Sequence, residues 1–158
     1  MTDEIAWHKR FLLLARNVAG WSKDPDEGVG ALVVSADRRQ FSVGYNGLPK
    51  GHPDDPATLG DKELKNRLTI HAERNAMDNA PFDLKGATLY VTKPCCTECM
   101  KGLIQKGVVQ VVYQNWRPDS RWFQDQVFAL NLAEQFGVET RQLADCVDYA
   151  KVPGDDPC

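Results

Sequence analysis

The sequence predicts an α/β protein, a three-layer α/β/α arrangement on a mixed sheet of five strands. Three observations carry that expectation. Two short apolar runs, VGALVVS and QFSVGYN, are separated by the turn-like ADRR and predict an antiparallel hairpin. After them strand-like and helix-like segments alternate, the pattern of parallel strands joined by helices. Finally, 158 residues that are 42% hydrophobic and 26% charged suit one domain, 1–158, with a full core.

Each element follows from its own pattern. In DEIAWHKRFLLLARNVAGWS, residues Ile5, Trp7, Phe11, Leu12, Leu14, Ala15 and Val18 fall mostly at helical spacing, with Gly20 as the stop. His8 sits on the polar side of that helix and, like His52, is expected at the surface. SKDPDEG reads as a loop, and GLPKGHPDDPATLG, dense in Gly, Pro and Asp, as an irregular surface loop. A short helix covers DKELKNRL and another runs from His71 to Pro81. GATLYVT is a strand, CTECMKGLIQKG a helix and VVQVVYQ a strand. DSRWFQDQVFALNLAEQFG is a helix ended by Gly137, and VETRQL is the last strand. Residues 144–158, with Pro153, Gly154 and Pro157, are expected to be loosely held, and Cys146 and Cys158 are isolated there. The charge runs KDPDE and DKELK read as solvated surface.

Composition narrows the function classes. The longest apolar run, FLLLA, is far short of the ~20 residues of a membrane span. The opening MTDEIAWHKR is polar, so no secretory signal is expected. Three of the five cysteines fall within PCCTEC, which points to a metal or reactive thiols in a reducing, cytoplasmic setting. A net charge of −3 argues against nucleic acid as the main partner.

His71 and Glu73 open one helix and the cysteines open another, with the strand TLYVT between them. One imidazole and two thiolates fill three tetrahedral positions on Zn²⁺ and leave the fourth for water, the pattern of a catalytic site. Helix N-termini favour the thiolate form. Both Cys95 and Cys96 lie close enough to Cys99 to pair with it. At about 100° per residue, Cys96 falls roughly 30° from the inward stripe of the helix and Cys95 roughly 130° away. The expected ligands are therefore His71, Cys96 and Cys99, with Cys95 directed away from the core. If the helix starts one residue sooner, Cys95 takes the ligand position. Zinc would bring the pKa of a water down to ~7, and Glu73, two residues from His71, is placed to shuttle protons. H-x-E followed by P-C-x-x-C is the signature of zinc deaminases. Tyr113, Trp116 and Arg117 follow the fourth strand at the same end, where an aromatic could stack on a pyrimidine and an arginine could pair with a phosphate. Asn75 either fixes a loop or touches substrate.

SKDPDEGVGALVV, VGYNGLPKG, IHAERNAM and CTECMKGLIQKGVVQVVY occur in this order between Ser22 and Tyr113. On these segments the chain resembles the deoxycytidylate deaminase branch of the zinc-dependent cytidine deaminase-like superfamily. The resemblance implies that superfamily's fold, one catalytic Zn²⁺ on His71, Cys96 and Cys99, and Glu73 as general acid/base. It implies substrate contact from Asn46 and a phosphate or sugar environment near Ser22 and Lys23. The implied reaction is deamination of dCMP to dUMP with release of ammonia, supplying thymidylate synthesis. It further implies a homo-oligomer, often a hexamer, with dCTP and Mg²⁺ activating some members and dTTP inhibiting them through the GYNGLPKG loop. One departure stands out: the family usually has proline directly before the first cysteine ligand, where this chain has Cys95. Competing readings are a deaminase of dCTP, modified dCMP or deoxycytidine, a polynucleotide editor, and a non-catalytic nucleotide-binding protein.

Overall fold

β1 (Gly30–Val34) and β2 (Phe41–Tyr45) pair antiparallel from Gly30 opposite Tyr45 to Val34 opposite Phe41, the hairpin expected from the two apolar runs. In the computed structural model, which describes residues 2–143, the elements before and after it are α1 (Thr2–Ala19), α2 (Pro56–Gly60), α3 (Lys62–Leu68), α4 (Ala72–Asn79), β3 (Thr88–Val91), α5 (Thr97–Gln105), β4 (Gln110–Tyr113), α6 (Phe123–Gln135) and β5 (Glu139–Gln142). The expectations for 144–158, Cys146 and Cys158 lie outside the described residues.

The sheet is mixed, in the order β2-β1-β3-β4-β5. β1 and β3 run antiparallel, whereas β3–β4 and β4–β5 are parallel. This polarity puts the C-terminal ends of β2, β3 and β4 and the N-terminal end of β1 on one edge. Alternation along the strands divides the core. Leu32, Val34, Tyr90 and Val112 face α1, where Phe11, Leu12 and Ala15 cover them. Ala31, Val33, Leu89, Val91 and Val111 face the opposite layer, built from Ala72 and Ala76 of α4, Met100 and Leu103 of α5, and Ala129 and Ala133 of α6.

Two local expectations are corrected. The loop after β2 contains a helix, α2, because Asp55 caps it by accepting from the Thr58 N–H at 2.7 Å and Pro56 supplies a preset first turn. His8 is buried, not at the surface. It shares the i, i+3, i+4, i+7 stripe with Phe11, Leu12 and Ala15, and its Nδ1 lies 2.9 Å from the Tyr90 hydroxyl.

Candidate active site

The sheet edge that gathers the strand ends is also where α4 and α5 begin. Gly47, just past β2, forms an isolated bridge with Ile70: its N–H donates to the Ile70 carbonyl at 3.1 Å and its carbonyl accepts from the Ile70 N–H at 2.8 Å. That clamp delivers His71 as the extended N-cap of α4. Helix and strand approach so closely that a Cβ on Gly44 would stand 2.2 Å from the Ala72 carbonyl oxygen and 2.3 Å from the Ala76 nitrogen. Asn75 serves this junction, its Nδ2 donating to the Tyr45 carbonyl at 2.8 Å.

The cysteine segment is fixed from the other side. Cys96 is the extended N-cap of α5, and its Sγ accepts from the Cys99 N–H at 3.4 Å. α6 anchors the same turn through Gln126, whose Nε2 donates to the Pro94 carbonyl at 3.0 Å, and through Asp125, which accepts from Thr97. As a result His71 Nδ1 lies 3.4 Å from Cys96 Sγ and 3.6 Å from Cys99 Sγ. With Zn–N and Zn–S bonds of ordinary length, the N–S edge of a tetrahedral site is ~3.6 Å, so this donor set fits zinc in size as well as chemistry. It is the only such His/Cys/Asp/Glu group among the described residues.

The helical-phase argument for the cysteines does not hold, since α5 begins at Thr97 and both Cys95 and Cys96 precede it. Extended backbone turns successive side chains to opposite sides, and here it buries Cys95 in the core, at 1% exposure, while Cys96 faces His71. Cys95 therefore points into the core, opposite to the expectation.

The electrostatics match the geometry. Hydrogen bonding from Cys99, and then from His71, holds the Cys96 thiol far below its ordinary range, so Cys96 carries the first negative charge. The hydrogen bond with Cys96, and then burial, push Cys99 up. His71 is raised, chiefly by its hydrogen bond with Cys96. Glu73 is 3% exposed and raised by burial, and its Oε2 accepts from the Cys99 thiol at 3.8 Å. Burial also raises Cys95.

His71, Glu73 and Cys96 open on a cavity of ≈ 310 Å³ at the sheet edge, with Cys99 buried behind them. Residues 5–115 match the zinc-binding region of cytidine and deoxycytidylate deaminases. The chain belongs to the cytidine and deoxycytidylate deaminase family. Human deoxycytidylate deaminase is 36% identical over 119 residues, 72% of this chain and 67% of that one. An uncharacterized deaminase in the luxG 3′ region of Aliivibrio fischeri is 39% identical over 139 residues, 87% of this chain and 93% of that one. Among solved structures, dCMP deaminase from cyanophage S-TIM5 aligns with a TM-score of 0.69 at 25% identity, covering 87% of this chain and 97% of that one. The same phage enzyme in complex with dCMP and dUMP aligns at 0.60 and 26%, over 87% and 94% of the two chains.

Within this deaminase-family cavity the residues singled out from sequence divide. His71, Glu73, Cys96, Asn46 and Arg117 line it. Asn46 is 7% exposed and its amide is engaged by the wall, with Oδ1 accepting from the Val29 N–H at 2.7 Å and Nδ2 donating to the Glu27 carbonyl at 2.9 Å. Ser22 donates to the Asn46 carbonyl at 2.8 Å and stands behind that wall. Lys23 is exposed, pairs with Asp54 at 3.0 Å and lines a separate cavity of ≈ 110 Å³. Tyr113 and Trp116 pack edge-to-face on each other in the core and do not line the catalytic cavity.

The aromatic at the cavity is instead Trp122, whose ring stands at 90° to His71 with centroids 5.9 Å apart. Lys65, from a run expected to be solvated, is 2% exposed and donates to Asp24 at 2.7 Å and Asp26 at 2.6 Å. Lys93 pairs with Glu27 at 2.8 Å. The acidic rim left by SKDPDE is thus largely neutralised by lysines. The only sequence signal for these partners was their type, because 39 to 66 residues separate them.

Proposed function

We propose that this protein catalyses the zinc-dependent hydrolytic deamination of dCMP to dUMP, with release of ammonia. The observation that carries this reading is the convergence of His71, Cys96 and Cys99 with a buried glutamate, Glu73, beside one cavity that His71, Glu73 and Cys96 line. The relatives named deoxycytidylate deaminase and the phage enzyme in complex with dCMP and dUMP support the choice of substrate.

In this reading His71, Cys96 and Cys99 hold the ion. Zinc bound there would supply Lewis acidity and bring the pKa of a water down to ~7, which would make that water a nucleophile toward C4 of the pyrimidine. Glu73 accepts the proton that the water loses and delivers it to N3. It then carries the water's second proton to the exocyclic nitrogen, and the C4–N bond breaks as the C4 carbonyl forms. Burial suits Glu73 to this task, since a raised carboxyl pKa brings it nearer the working pH of a proton carrier. Trp122 flanks the pyrimidine beside His71, and Asn46 is part of the same cavity's wall.

The finer readings follow the same resemblance: a single domain acting in the cytoplasm as a homo-oligomer, a hexamer, with dCTP and Mg²⁺ activating and dTTP inhibiting. What supports an effector is the second cavity, which takes Tyr45, Gly47 and Leu48 from the GYNGLPKG loop and shares Asp24, Lys65 and Thr69 with the catalytic one.

The test is ammonia release by zinc-loaded protein from dCMP, dCTP, CMP, deoxycytidine and a short single-stranded DNA, with Glu73→Gln as the blank. Turnover of dCMP well above the others is the expected outcome. Preference for another member of the set would replace the substrate, and equal rates with Glu73→Gln would remove the proton shuttle.

A further inference from the structure

The catalytic cavity continues outward into an open cleft of ≈ 720 Å³, with Lys62, Asn66, Arg121 and Trp122 common to both. Their charges are unequal in a telling way. Inside, the carboxylates of the loop before β1 have cationic partners: Lys65 takes Asp24 and Asp26, and Lys93 takes Glu27. The cleft is lined by three cations, Lys62, Arg67 and Arg121, and by one carboxylate, Glu63, with Asp26 at its inner end acting on Lys62 and Arg121. Lys62 is 3.9 Å from Asp26, a long and exposed pair. Among the described residues neither Arg67 nor Arg121 lies within ion-pair distance of a carboxylate. Two guanidinium groups lining one cleft favour an anion there, and their planar donor forks match phosphate oxygens.

Arg121 is also held in place. Its guanidinium lies over the Trp122 ring, 4.9 Å from the centroid, and Trp122 in turn stands against His71. Arg121 therefore stands where the cavity that holds His71 and Trp122 passes into the outer cleft. We infer that Arg121 and Arg67 form the subsite for the 5′-phosphate monoester of the substrate and so set the preference for nucleotide over nucleoside. Arg117, the arginine singled out from sequence, is instead tied to Asp119 at 3.3 Å. The identity of the ligand rests on the dCMP reading; the anion site itself does not.

The experiment is calorimetric titration of the zinc-loaded full chain with dUMP, deoxyuridine and inorganic phosphate, for the wild type, Arg121→Ala, Arg67→Ala and Arg121→Lys. Melting temperature and zinc content near the wild type, as befits exposed side chains, show that the variants are folded. Arg121→Ala is expected to weaken dUMP about 10- to 100-fold and to narrow its advantage over deoxyuridine. Arg121→Lys should recover part of that loss, keeping the charge but not the fork. Wild-type dUMP affinity in both alanine variants, or equal weakening of dUMP and deoxyuridine, overturns the inference. If the wild type ignores dUMP, the deamination reading fails separately and phosphate decides: binding lost in Arg121→Ala upholds the anion site, and no binding to the wild type overturns it.

Discussion

Asp125 of α6 holds Thr97, the first residue of α5, by two hydrogen bonds: Oδ2 accepts from the Thr97 N–H and Oδ1 from its hydroxyl, both at 2.8 Å. Thr97 follows Cys96 directly, so a neighbouring helix fixes the turn that presents the sulfur. Asp125→Ala should cost about 1–2 kcal/mol in urea unfolding, through the loss of two charge-assisted hydrogen bonds, and should speed zinc release to a chelator. Unchanged release at reduced stability would separate the Asp125–Thr97 contact from the site.

The adjacent cysteines should respond oppositely. Cys96→Ser should leave far less than one zinc per chain. Cys95→Ala should keep the metal and lose about 1 kcal/mol from a trimmed core side chain. Metal analysis and urea unfolding of the two variants check this, and zinc lost from Cys95→Ala would exchange their roles.

Gly44 sets the distance between β2 and α4. Gly44→Ala has no way to place its methyl, which meets backbone atoms of the helix and not flexible side-chain ends. A loss of about 2–3 kcal/mol or more is expected, together with weakened metal retention as the His71 end of α4 is pushed outward. Thermal unfolding with and without added zinc measures both.

His8 gives stability a pH dependence remote from the site. Burial, followed by Arg141, depresses its pKa below the ordinary 6.5; Arg38 adds to this, while Glu4 and Glu139 oppose it. Below that value the unfolded chain binds a proton that the folded chain excludes. The contribution of neutral His8 is thus complete above pH 6.5 and is lost as pH falls from there through the folded-state pKa. Urea unfolding between pH 7.5 and 5 should show a shallower slope for His8→Gln than for the wild type, with zinc handled identically. Parallel slopes would place the proton elsewhere.

Element order, the hairpin and the His71–Glu73–Cys96–Cys99 group were legible because each rests on short-range pattern: a period of 2 or 3.6, or site residues two or three positions apart. Where the reading failed, the deciding contact was distant or the local geometry was assumed. Cys95 was misplaced by extending helical phase over residues that are not helical. Lys65 looks like any polar helix residue until Asp24 and Asp26, 41 and 39 positions away, fold over it. Trp122 was passed over for Tyr113 and Trp116 because the turn after β4 that swings it to His71 leaves no periodic trace. His8 shows the converse case, since its stripe was visible but its polarity argued against burial.

The geometry of the metal group has a consequence for how the chain folds and comes apart. His71 and Cys96 are 25 residues apart, on either side of β3, and meet only once that strand has joined the sheet. Closing such a loop costs about 3 kcal/mol in chain entropy. An ion held there acts as a reversible staple across the middle of the sequence, one that the disordered chain can offer only as a bare cysteine pair. Folding and metal capture then become a single equilibrium, and the amount of intact protein rises and falls with free zinc in its surroundings.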